Sequence, residues 1–174
     1  MLARDYWKAV TVDRSDLLDR VLALLRESDV RFCVIGGQGV NAYAEPVVSL
    51  DLGLVLAADA VERIRPLLEK EFRVESFGHS LNISSAGSDL RVQIQLDPRY
   101  QPFIPRASQR NVLGEALPVA AMEDVLLGKI WAALDPGQRA SKRQKDLADI
   151  SRLIEREPKL RSTVPQEILD RLLP

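Results

Sequence analysis

The stretch VIGGQGVNAYAEPVVSLDLGLVLA, residues 34–57, decides how this chain is read. Starting from Arg31, RFCVIGG predicts a short buried strand that runs into a glycine pair. QGVNAYA then leaves room for about two turns of helix before Pro46, which has no N–H to continue one. From 49 to 57 the residues alternate as in a strand, yet at Gly53 the position on the same face as Asp51 has no side chain. Residues i and i+2 of a strand project from one face. The blank therefore needs a cause, and a strand glycine usually marks a bulge or the close approach of another backbone.

Working outward, Ser15 or Asp13 is placed to cap a helix in which Leu17, Leu18, Val21, Leu22 and Leu25 keep helical spacing to about Ser28. From Ala58, VERIRPLLEKEF predicts another helix, with Pro66 marking a kink or a later start. FRVESFG, LNISS and LRVQIQL read as three short strands with Gly and Ser at the turns. A proline-rich connection, DPRYQPFIPRA, and short VLGEALPV pieces follow. Helices are then expected over about 122–134 and 141–156, and a short one from Pro165, where proline suits a first turn. The expected architecture is an α/β core over residues 1–105 and a helical extension over 106–174 packed on it.

Composition narrows the chemistry. With 174 residues, 46% hydrophobic and a formal net charge of -1, the chain is long enough for one real core and has no general attraction to polyanions. The single cysteine, Cys33, lies in an apolar run and reads as a buried small hydrophobe, so disulfide frameworks and thiolate metal clusters are excluded. One histidine, His79, rules out paired-histidine metal sites. No apolar run reaches the roughly 18 residues of a membrane span, and the first residues lack a signal-peptide core, so a cytoplasmic protein with no membrane partner is expected.

Glycines between a strand and a helix let a ligand approach the backbone, and amides at a helix start suit phosphate oxygens. Gly37, Gly39 and Ala42 fit the dinucleotide pattern G-x-G-x-x-A, with Asp59 about 20 residues on. However, Pro46 leaves too short a helix for a crossover between parallel strands, which needs about a dozen residues. The plain alternative is a tight turn and nothing more. Nucleotidyl transfer uses the same turn differently. There it cradles a triphosphate, while two carboxylates about 6.6 Å apart on one strand face grip metal ions, which sit about 4 Å from each other.

Three segments in order carry a resemblance to that chemistry: the stretch 34–57, LRVQIQLDPRYQPFIPRA over 90–107, and AMEDVLLGKIWAALDPGQRASKRQKDLADISRLIE over 121–155. Together they resemble the nucleotidyltransferase-fold proteins of the minimal and AbiEii-toxin-like type, over roughly 31–157. Such proteins share a G-G or G-S turn, a T/S-x-D-x-D strand, a later acidic strand and a helical tail with K-D-x-x-D. The resemblance implies a mixed sheet with flanking helices, an NTP as ligand or substrate, and Mg²⁺ or Mn²⁺ if the protein is active. It also implies nucleotide contacts at Gly36, Gly37, Gln38, Ser49, Lys129 and Lys145, with Asp51 as the catalytic and metal-binding carboxylate.

Two departures qualify it. Gly53 stands where the second aspartate is expected, and the polar face of the later strand offers Gln93, with Gln95 beside it, where a third acid is expected. A glutamine oxygen coordinates a metal without charge, so Asp51 with Gln93 should hold Mg²⁺ poorly. The plainer reading makes Asp51 a solvated edge residue and the glutamines an exposed face. Lys129 lies on the apolar stripe of its helix and either snorkels to solvent or points at an anion. Arg139, Lys142, Arg143 and Lys145 crowd a helix start, where cations oppose the dipole, so helix stability does not explain them. They form either a solvated helix end or a basic wall for phosphates of a nucleotide or nucleic acid. Two functions remain open: a nucleotidyltransferase with impaired transfer, or a silent module binding a nucleotide or a partner protein, as in a toxin–antitoxin pair.

Overall fold

The computed structural model describes residues 3–172. Its strands are β1 Phe32–Ile35, β2 Asp51–Leu56, β3 Arg73–Phe77, β4 Ser80–Ser84, β5 Arg91–Gln95, β6 Ser108–Val112 and β7 Glu115–Val119. They form one mixed sheet in the order β3-β4-β5-β2-β1-β7-β6. The pairs β2/β5 and β1/β7 are parallel and the other neighbours antiparallel. The helices are α1 Ala3–Val10, α2 Leu17–Glu27, α3 Gly36–Asn41, α4 Ala58–Glu71, α5 Met122–Leu134, α6 Ala140–Arg156 and α7 Gln166–Leu169, with 3-10 segments at Pro98–Arg106 and Pro158–Thr163.

The period-2 pattern of the central strands sorts side chains onto two faces. Leu52, Leu54, Val92 and Ile94 join one core with the buried leucines of α2 and with Ile64 and Leu68 of α4. Cys33, Ile35 and Val55 point the other way, into a second core with Val125, Leu126 and Ile130 of α5 and Ile150 and Leu153 of α6. Cys33 is fully buried, and burial pushes its thiol up to about 12, so it acts as a packing group. Helix α2 starts where expected: the Asp13 carboxylate accepts from the N–H groups of Leu17 at 2.9 Å and Leu18 at 3.2 Å. Pro66 does not delay the start of α4, which runs unbroken from 58 to 71. Pro66 lies on the exposed side, so the carbonyl it leaves without a donor faces water.

Residues 108–119, unassigned in the sequence and inside the expected helical extension, are instead a β-hairpin. Leu113 and Gly114 turn it with φ of 52° and 82°, the two-residue geometry that suits tight hairpins. The hairpin completes the sheet, because Val119 pairs with Val34 of β1 and the Ala120 N–H donates to the Val34 carbonyl at 3.0 Å. The core is thus one sheet drawing on both halves of the chain, with α5, α6 and α7 packed on its second face. Proline-rich 98–106 folds into a 3-10 segment that buries Tyr100 and Phe103. No helix among the described residues is long and apolar enough to cross a membrane.

Candidate functional site

Where α5 and α6 do not cover the second face of the sheet, a cleft of about 1080 Å³ remains, lined by the glycine turn, β2, β5 and the facing sides of α5 and α6. Strand β1 ends in Ile35, and Gly36 follows with φ 69°, in the left-handed region that suits glycine. Gly37 allows close approach: a Cβ there would lie 3.3 Å from Ser49 Oγ and 4.0 Å from Asp149 Oδ2. The turn therefore touches both the entrance to β2 and helix α6. Because β1 and β2 are antiparallel and α3 has only six residues, the dinucleotide reading of Gly37, Gly39 and Ala42 has no crossover to stand on.

The structure brings Gly36, Gly37, Ser49, Asp51, Gly53, Gln93, Lys129 and Lys145 to this one cleft. Gln38 is the exception. Its side chain is 2% exposed, donates from Nε2 to the Ser49 carbonyl at 3.0 Å and accepts from Asn41, so it holds the turn against the loop that leads into β2.

The blank at Gly53 has a steric cause. A Cβ at Gly53 would lie 3.3 Å from both Cγ1 and the carbonyl oxygen of Ile35, its register partner on β1. Backbone and the branched base of a side chain, rather than a flexible tip, fill that space. On the other side Gly53 pairs with Gln93, while Asp51 pairs with Arg91. Arg91 Nε lies 3.0 Å from Asp51 Oδ1, and the two side chains are 60% and 47% exposed.

Charge on the helical wall is arranged differently. Lys129 Nζ sits 2.8 Å from Asp146 Oδ1 and 2.7 Å from Asp149 Oδ2. Burial lowers its pKa, but Asp149 and Asp146 outweigh that and hold the ammonium above its ordinary value of 10.5. Lys129 thus points at anions, and those anions belong to K-D-x-x-D. Gln138 Nε2 donates to Asp146 at 3.0 Å, and Arg152 donates to Asp149 at 2.8 Å. Arg152 also reaches Asn41 and the Glu45 carbonyl, tying α6 to the loop before β2. Arg139, Lys142 and Lys145 line the same cleft from the start of α6 and make no ion pair with other described residues.

Several lining residues were not singled out from the sequence. Asp97 and Arg99 extend the end of β5, and the hydrogen bond from Arg99 holds the Asp97 carboxyl below its ordinary value. The Arg99 guanidinium lies 4.5 Å from the centre of the Trp131 ring, which also meets Tyr100 edge-on at 5.1 Å and stacks on Phe103 at 5.8 Å. Arg91 had a signal, its place in the alternation of 91–95, but its partner across the strand was not readable. Among the described residues no group of three or more His, Cys, Asp or Glu side chains is disposed to hold a metal ion.

Comparison with known proteins bears on the fold and the family. Residues 51–173 match the family model described as the nucleotidyl transferase AbiEii toxin of a type IV toxin–antitoxin system. A search of curated proteins finds no match. Among solved structures, the antibiotic-resistance factor ANT(2'')-Ia is similar with a TM-score of 0.58 at 16% identity, over 87% of this chain and 91% of that one. The lincosamide antibiotic adenylyltransferase LnuA, solved with lincomycin bound, gives 0.53 at 15% identity over 79% and 96%. A putative nucleotidyltransferase from Thermotoga maritima gives 0.50 at 14% identity over 86% and 96%. These likenesses show the nucleotidyltransferase fold, and with the family match over most of its length the chain belongs to the nucleotidyl transferase AbiEii toxin family.

Proposed function

We propose that the cleft binds a nucleoside triphosphate and that nucleotidyl transfer from it is impaired. The observation that carries this reading is the makeup of the sheet wall: a glycine turn beside one aspartate, with Gly53 and Gln93 facing each other where further acids belong. Two-metal transfer needs ions that activate the attacking oxygen and steady the leaving one. One open carboxylate, already beside an arginine, does not fit such a pair. In this reading the amides of Gly36 and Gly37 and the hydroxyl of Ser49 meet phosphate oxygens, and Lys145 adds charge from α6. Lys129 acts from behind, by neutralising Asp146 and Asp149. The test is incubation of the full chain with each α-labelled NTP and Mg²⁺ or Mn²⁺. Label confined to the unreacted nucleotide is expected, and metal-dependent transfer to protein, RNA or a small hydroxyl compound contradicts impaired chemistry.

A second reading, a module for a partner protein in a toxin–antitoxin setting, is favoured by the family match and by one surface feature. Val47 and Val48, next to the cleft, are 49% and 59% exposed. Copurification of one defined protein, lost on Val48→Asp, would support it.

A further inference from the structure

The cation nearest Asp51 is part of the chain. Arg91 is its register partner on the parallel strand β5, with Nε 3.0 Å from Oδ1. Beyond this ion pair the guanidinium makes no side-chain hydrogen bond with other described residues, so donors remain for a ligand in the cleft it lines. Such a fork matches two phosphate oxygens at once. The opposite wall adds Arg139, Lys142 and Lys145; of its carboxylates, Asp146 and Asp149 are matched by Lys129 and Arg152 and Asp124 by Arg106, which leaves Asp135 alone without an ion pair among the described residues. The cleft therefore has positive charge to offer before any ion enters it.

We propose that Arg91 stands in the place of a metal ion beside Asp51, so that the cleft takes the phosphates of a nucleoside triphosphate without a divalent cation. This rests on the nucleotide reading above and goes beyond it by naming how the phosphate charge is met. The ion pair is open to solvent, and such pairs hold weakly. Arg91 can thus leave Asp51 for a phosphate at small cost, or share the two.

Two titrations on the full chain test it. In the first, Mn²⁺ alone is followed by electron paramagnetic resonance. Removing the fixed cation in Arg91→Ala, or in Arg91→Gln if that folds better, should strengthen Mn²⁺ binding about fivefold. The gain should vanish in Arg91→Gln with Asp51→Asn. In the second, ATP and inorganic tripolyphosphate are titrated calorimetrically in excess chelator. Wild type should bind both, Arg91→Ala should lose about tenfold, a single charge-assisted phosphate contact, and Arg91→Lys should fall between. Tighter binding of ATP than of tripolyphosphate assigns the difference to the nucleoside. Binding of ATP only with Mg²⁺ overturns the proposal and leaves the nucleotide reading standing. Unchanged Mn²⁺ affinity on removing Arg91 overturns its role as a stand-in. No ATP binding under any condition, together with the Mn²⁺ gain, retires the nucleotide reading and its phosphate claim while keeping Arg91 in the metal's place.

Discussion

On the helical wall of the cleft Lys129 is 11% exposed and bound to two carboxylates, whereas on the sheet wall Arg91 is 60% exposed and bound to one. Both are cations facing aspartates in the same cleft, and burial separates what they do. A buried charge set that loses one member leaves the others without water or partner, so it behaves as a structural strut. An open pair exchanges partners easily. The difference teaches that K-D-x-x-D and Lys129 hold the site together, while Asp51, Arg91 and the cations at the start of α6 are the groups free to meet a ligand.

Breaking the strut should have the largest effect. Lys129→Met should cost about 3–5 kcal/mol in urea denaturation, and Arg91→Ala less than about 1 kcal/mol. Equal losses would erase the contrast. Next comes the sheet wall itself. Because a Cβ at Gly53 meets the Ile35 backbone at 3.3 Å, Gly53→Ala should destabilise by about 1–3 kcal/mol through overpacking. Gln93→Asp carries no such penalty, and the double variant Gly53→Asp with Gln93→Asp should bind Mn²⁺ more tightly than wild type. Titration without a gain would place the metal-facing positions elsewhere.

Smaller effects sharpen the contrast on the ligand side. Lys142→Ala with Lys145→Ala should weaken ATP binding about tenfold, by charge lost near phosphate. Stability should change by less than about 0.5 kcal/mol, as for ordinary surface positions. Finally, Lys129 has a raised pKa in the fold, so its stabilising share is full below the unfolded value of 10.5 and falls as pH rises through the higher folded value. A melting series from neutral pH to above that value should show an alkaline loss in wild type that is absent in Lys129→Met.

Much of the fold was readable because the central strands and long helices keep their periods. Helix α5 spans 122–134 as its spacing predicts, and the three strands of 73–95 appear where the Gly and Ser turns set them. The hairpin of 108–119 escaped because its turn is Leu-Gly. A leucine at positive φ carries no turn signal, and its burial at 3% exposure offsets the strain. The cleft was half legible. Motif order brought Gly37, Ser49, Asp51 and Lys129 to one place, but pairings across elements are set by register and packing. The Asp51–Arg91 and Lys129–Asp149 contacts, and the burial of Gln38 behind the cleft lining, could be seen only in three dimensions.

The most direct test of the central claim, that this cleft is a nucleotide site, is hydrogen–deuterium exchange of the full chain with and without saturating ATP. Slower exchange is expected in the glycine turn of 36–41, in 49–53 and 91–97, and at the start of α6, with the α2 and α4 face unchanged. No change in those segments, or protection confined to the opposite face of the sheet, would contradict it.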